Sequence, residues 1–126
     1  MSKRKTWNEY FMEITDLVAS RSTCDRAMVG CLIVNDDNRI VSSGYNGSVS
    51  GMPHCDDVGH TMRDGHCIAT IHAEMNACLA AGRQNCIGAT LYLAGWRVDQ
   101  NKNKEITPCL MCSRVIKNSG IIEVVS

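Results

Sequence analysis

The most constraining stretch of the sequence is Met28 to Val34 (MVGCLIV), a run without a single polar side chain. It is followed by the turn formers Asn35-Asp36-Asp37-Asn38 and then by Arg39 to Gly44 (RIVSSG), a second β-rich run, so the two read as an antiparallel hairpin. An arm with no polar alternation belongs in the middle of a sheet, not at its edge.

Periodicity places the other elements around this hairpin. Trp7, Phe11, Ile14 and Leu17/Val18 recur at helical spacing, which predicts an amphipathic helix over residues 8–20. Residues 44–71 hold five glycines, Pro53, three of the four histidines and two cysteines with no sustained period, and read as a long loop of the kind that carries function. From His72 a run of good helix formers continues to a stop at Gly82 or Gly88. Ala89 to Ala94 is a strand, Asp99 to Glu105 a polar excursion, Pro108 to Ser119 a third helix stopped by Gly120, and Ile121 to Val125 a last strand. The order αββ(loop)αβαβ implies α/β layers with right-handed crossovers. At 126 residues the chain is one domain, 1–126, with no internal repeat.

Charge and cysteine usage narrow the function. Thirteen Lys and Arg against thirteen Asp and Glu leave a net charge of zero, which disfavours binding to duplex nucleic acid through its phosphates but leaves room for a basic pocket around one small phosphorylated ligand. The basic start Met1-Ser2-Lys3-Arg4-Lys5 leads into polar, amphipathic sequence, with no apolar signal region and no run of 18 apolar residues. The expectation is a soluble, cytoplasmic protein without membrane contact. In a reducing compartment, eight cysteines argue for metal ligation or small core residues and against disulfides.

Two segments carry the chemistry. His72-Ala73-Glu74 opens the second helix and Pro108-Cys109-Leu110-Met111-Cys112 opens the third. Cysteines three apart share a helix face, Pro suits the first helical position, and a helix N-terminus favours the thiolate form. Two thiolates and an imidazole balance Zn²⁺ and leave the fourth position for water, the composition of a catalytic site. Glu74 lies about 200° around an ideal helix from His72, yet in a first turn its long side chain can reach a zinc-bound water. Cys31, in an apolar strand, and Cys78, among alanines, read as buried small hydrophobes; Cys86 has no evident place.

H-x-E followed by P-C-x-x-C is the pattern of zinc nucleobase deaminases, with the Glu shuttling protons. The chain further resembles the deoxycytidylate (dCMP) deaminases of the cytidine deaminase superfamily. The resemblance covers nearly the whole chain, through Trp7-Asn8-Glu9-Tyr10-Phe11-Met12, Val29-Gly30, Gly44-Tyr45-Asn46-Gly47, Pro53-His54-Cys55, Gly65-His66-Cys67 and Thr70 to Ala77. It implies a three-layer α-β-α cytidine deaminase-like fold with a central mixed β-sheet, and hydrolysis of dCMP to dUMP and ammonia. In that reading Glu74 is catalytic and His72, Cys109 and Cys112 hold the catalytic zinc.

The resemblance also implies that Asn46 bonds the nucleotide and that Arg26 neutralises its phosphate. A guanidinium fork suits phosphate, but the residues alone do not select Arg26 over Arg63, Arg83 or Arg97. Family members carry a second, structural zinc in the long loop, for which Cys24, Cys55, His60 and Cys67 are the candidate ligands and His66 the nearest substitute. Control by dCTP and dTTP, Mg²⁺ accompanying a triphosphate effector, and a homo-oligomer, commonly a hexamer, are implied as well. Relatives continue past the last strand, so packing by another subunit is expected to cover that edge. The competing readings are a deaminase of another cytosine or adenine substrate and a catalytically silent, zinc-stabilised nucleotide-binding protein; an intact Glu74 argues against the second.

Overall fold

The computed structural model describes residues 3–23, 27–48, 62–63, 66–67, 70–97 and 106–126, with backbone alone at 48, 62–63, 66–67, 70 and 97. Strands β1 (Ala27–Val34) and β2 (Ile40–Tyr45) form the expected antiparallel hairpin, with Cys31 opposite Gly44. Asn35 closes the turn between them by accepting the Asp37 and Arg39 N–H groups at 2.9 and 3.0 Å. Among the described residues, six further strands and four helices follow or precede: α1 (Trp7–Ala19), β3 (Gly47–Ser48), β4 (Met62–Arg63), β5 (His66–Cys67), β6 (Thr70–Ile71), α2 (Ala73–Ala81), α3 (Arg83–Cys86), β7 (Thr90–Arg97), α4 (Leu110–Asn118) and β8 (Glu123–Val125). No helix among the described residues is long and apolar enough to cross a membrane.

The main sheet has the order β2-β1-β7-β8. β1 is antiparallel to both its neighbours, and β7 is parallel to β8, to which it connects through α4. The alternation of β1 explains its uniform hydrophobicity. Cys31 and Ile33 point into a core formed with Ala73, Ala77, Leu91, Leu93 and Ile116, whereas Leu32 and Val34 point to the opposite face, against Phe11 and Tyr92. A strand covered by helices on both sides has no face left for polar residues. The sheet is mixed and lies between α1 on one face and α2 with α4 on the other, the expected three layers.

Helix α1 starts at a capping box in which the Thr6 hydroxyl accepts the Glu9 N–H and the Glu9 carboxylate accepts the Thr6 N–H, each at 3.2 Å. Its buried stripe is Phe11, Thr15 and Ala19, with Ile14 packed at its margin; of the expected stripe Phe11 and Ile14 face the core, whereas Trp7 and Leu17 are 57 % and 71 % exposed. The reason is Gly30. A Cβ there would lie 2.5 Å from the Ala19 nitrogen and closer still to the Thr15 carbonyl, so the helix backbone rests directly on β1 along its small residues. Gly30→Ala is therefore expected to push α1 off the sheet at a cost of about 1–3 kcal/mol. A urea-unfolding midpoint equal to that of the wild type would refute this close approach.

Two expectations need correction. The stretch 44–71 is not wholly loop, because β3 pairs with β6 and β4 with β5. β7 continues past Ala94 to Arg97, held in register against the full length of β1 from Val34 to Ala27. Of the two expected stops for helix α2 the first is the one used: the helix ends at Gly82, whose φ of 76° stops it, and the short α3 follows before Gly88.

Candidate active site

Three elements deliver the site. Strand β6 runs into His72, which is the N-cap of α2 with extended backbone (φ −65°, ψ 150°). Because His72 stands outside the helix, the 200° separation from Glu74 does not apply, and Glu74, at the second helical position, turns towards the same place. Cys109 is likewise the N-cap of α4, and its Sγ accepts the Cys112 N–H at 3.4 Å, the bond that a Ser or Asp cap would make. Helix α4 thus begins at Leu110. Pro108 precedes the cap and does not occupy the first helical position as expected.

The two caps face each other. His72 Nδ1 lies 3.3 Å from Cys112 Sγ and 3.5 Å from Cys109 Sγ, and all three donor atoms fall within 4.8 Å of one another. A tetrahedral zinc with bonds of about 2.3 Å to sulfur and about 2.0 Å to nitrogen separates N from S by about 3.5 Å and S from S by about 3.8 Å. The residues therefore fit zinc in type and in spacing, with Nδ1 as the ligating nitrogen. His72, Cys109 and Cys112 are the only group of this kind among the described residues.

Glu74 is 4 % exposed, and its carboxyl meets the Cys112 thiol. Burial raises its pKa above the usual carboxylate value, against smaller opposing effects of its backbone and of His72. Burial, followed by the Glu74 charge, also drives the Cys112 thiol well up. For Cys112 this corrects the expectation that the helix end would favour thiolate: desolvation wins, and a cation has to supply the charge that deprotonates it. Behind this layer Cys31, Cys78 and Cys86 are buried, and burial pushes Cys78 up to about 11. They are neutral core residues, and Cys86 finds its place there, fully enclosed.

Asn46 is 8 % exposed and acts as an extension of the sheet. Its Oδ1 accepts the Val29 N–H and its Nδ2 donates to the Ala27 carbonyl, both at 2.8 Å. Its own carbonyl accepts from the Ser22 hydroxyl at 2.9 Å and the Thr23 N–H at 3.2 Å. One amide hydrogen and one lone pair remain beyond these bonds. Cys24, Arg26, Cys55 and His60 lie outside the described residues, as do the side chains of Cys67, Arg63 and Arg97. Arg83 Nε donates to the Asn118 carbonyl at 3.3 Å, at the end of α4 remote from the cap. Sequence reasoning passed over Asn76, whose amide links α2 to the ends of β2 and β6. Its only sequence signal is a polar residue in a helix otherwise rich in alanine.

Residues 5–126 match the family described as cytidine and deoxycytidylate deaminase zinc-binding region. The chain belongs to this family. The family description and the His72/Cys109/Cys112 triangle together support a zinc ion at the site. Among relatives, ComE operon protein 2 of Bacillus subtilis is 42 % identical over 121 residues, covering 94 % of this chain and 58 % of that protein. The chain thus spans less than two thirds of that relative's length. The deoxycytidylate deaminase of Mycobacterium phage D29 is 35 % identical over 134 residues, covering 97 % of this chain and 94 % of that enzyme. The crystal structure of the dCMP deaminase from cyanophage S-TIM5 in complex with dCMP and dUMP matches with a TM-score of 0.72 at 25 % identity, over 98 % of this chain and 82 % of that one. The mixed sheet between helix layers is the cytidine deaminase-like fold.

Proposed function

We propose that this chain hydrolyses dCMP to dUMP and ammonia. The observation that carries the reading is the buried Glu74 carboxyl set against a His-Cys-Cys triangle of zinc dimensions, in a deaminase family whose phage D29 and S-TIM5 members are dCMP deaminases. His72, Cys109 and Cys112 would hold the zinc, which when bound would lower the pKa of a water molecule towards neutrality. Glu74 takes the proton as that water adds to C4 of cytosine. It delivers that proton to N3, then takes the remaining proton of the C4 hydroxyl and passes it to the amino group, so that the C4–N bond breaks, ammonia leaves and C4 keeps the oxygen as a carbonyl. Burial of the Glu74 carboxyl beside Cys112 suits this role, since it keeps bulk water away from the proton being moved. The deciding experiment is an ammonia-release assay with dCMP, deoxycytidine and cytosine side by side. Release from dCMP alone supports the reading, and release only from the nucleoside or base overturns it.

The finer assignments belong to the same proposal. Asn46 bonds the nucleotide through its remaining amide hydrogen or lone pair, and Arg26 pairs with the 5′-phosphate. The enzyme is a cytoplasmic homo-oligomer, a hexamer, activated by dCTP and inhibited by dTTP with Mg²⁺ on the triphosphate; repeating the assay with each effector tests this directly. A second, structural zinc is held by Cys24, Cys55, His60 and Cys67. Elemental analysis is then expected to return two zinc ions per chain in the wild type and one in the Cys24→Ser/Cys55→Ser double variant. A single zinc in fully active wild-type protein would remove the second site and leave the deaminase reading standing.

A further inference from the structure

We infer that Asn76 is a positioning residue that sets the orientation of His72 and Glu74. The inference rests on the deaminase reading above for its kinetic consequence, but its geometric basis is independent. Asn76 Nδ2 donates to the Tyr45 carbonyl at 2.9 Å and to the Ile71 carbonyl at 3.4 Å. Tyr45 is the last residue of β2, and Ile71 is the residue immediately before His72. The backbone N–H of the same residue donates to the His72 carbonyl at 3.0 Å, closing the first turn of α2. One residue thereby fastens the peptide carbonyls on either side of the His72 Cα, those of Ile71 and His72, and ties both to the end of β2.

The consequence follows from how His72 is held. Its imidazole reaches the two sulfurs from an extended cap residue, not from a helical one. The direction of Nδ1 therefore depends on the torsions of Ile71 and His72, the torsions that the clip restrains. Glu74, two residues on, turns with the same first turn. The other contacts of α2 with β2 are of another kind. Gly44 lets the helix lie flat, since a Cβ there would be 2.5 Å from the Ala77 nitrogen and 2.6 Å from the Ala73 carbonyl oxygen, and the Ser42 hydroxyl donates to the Ala77 carbonyl at 2.8 Å. Those contacts set the distance between helix and strand, whereas the Asn76 amide bonds the carbonyl that precedes His72. Asn is a poorer helix former than the alanines around it, so its place in this helix is explained by the bonds it makes outside it.

The test compares Asn76→Ala and Asn76→Asp with Ser42→Ala. The first two remove the donor, the Asp variant leaving the volume unchanged, and Ser42→Ala removes one bond between α2 and β2 away from His72. In both Asn76 variants kcat for dCMP is expected to fall about tenfold with KM within about twofold, as for a small displacement of reacting groups. Zinc affinity, measured by chelator competition without substrate, is expected to fall about tenfold. Ser42→Ala is expected to lower the melting temperature while leaving kcat and zinc affinity near wild type. The inference is overturned if the Asn76 variants keep wild-type kcat and zinc affinity, if Ser42→Ala shows the same losses, or if both Asn76 variants fail to fold, which would make the residue one of general stability. Wild-type protein that releases no ammonia from dCMP would defeat the proposed function, whereas the chelator measurement would still report on the placement of His72.

Discussion

Glu74→Gln is expected to lower kcat for dCMP by at least the ~10² to 10⁴ typical of a lost general acid–base group, and by more if each of its successive proton transfers is slowed. The amide is isosteric with the carboxyl but cannot accept the proton of the attacking water. Zinc content should stay unchanged, because the ligand atoms come from His72, Cys109 and Cys112. The melting temperature should stay near that of the wild type, since the amide has the shape and volume of the buried carboxyl it replaces. Turnover near the wild-type rate in this variant would end the assignment of Glu74 as proton shuttle.

Cys109→Ser and Cys112→Ser are each expected to abolish activity by removing the metal, because serine offers no alkoxide at neutral pH to replace a thiolate ligand. The two differ in what else they disturb. Cys109 caps α4 through its sulfur, and serine is a strong N-cap, so Cys109→Ser should retain the helix and lose only zinc. Cys112 is fully buried against Glu74, and its substitution alters the packing of that pocket as well. Elemental analysis and far-ultraviolet circular dichroism on both variants separate the effects. Full occupancy of the catalytic zinc in either would show that the ligand set is wrong.

The legible part of the fold was the part governed by local pattern. Met28 to Val34 announced a central strand because every side chain avoided water, and the structure buries its alternate residues on opposite faces. The turn at Asn35 to Asn38 and the helix stop at Gly82 were equally readable, since their residues suit the backbone conformation each position adopts. The face of α1 was legible in part. Phe11 and Ile14 were read correctly, but where the helix rests on Gly30 it buries Thr15 and Ala19, which are small enough to let it come close, and leaves Trp7 and Leu17 outside.

By itself the sequence determined the kind of chemistry: one imidazole, two thiols and a carboxyl, each next to a helix start, are a zinc-hydrolytic set whatever surrounds them. Only the tertiary structure decided that they meet. His72 stands 37 and 40 residues from the two sulfurs it approaches, and no local spacing encodes a contact across that distance. The packing of α2 on Gly44 and of α4 against α2 decides it. Tertiary structure likewise decided that Glu74 is buried, that Asn46 extends β1, and that Asn76 clips the first turn of α2 to the sheet. Helical period and strand alternation record which side chains leave water, whereas hydrogen bonds between distant backbone groups exist only once the layers have closed around them.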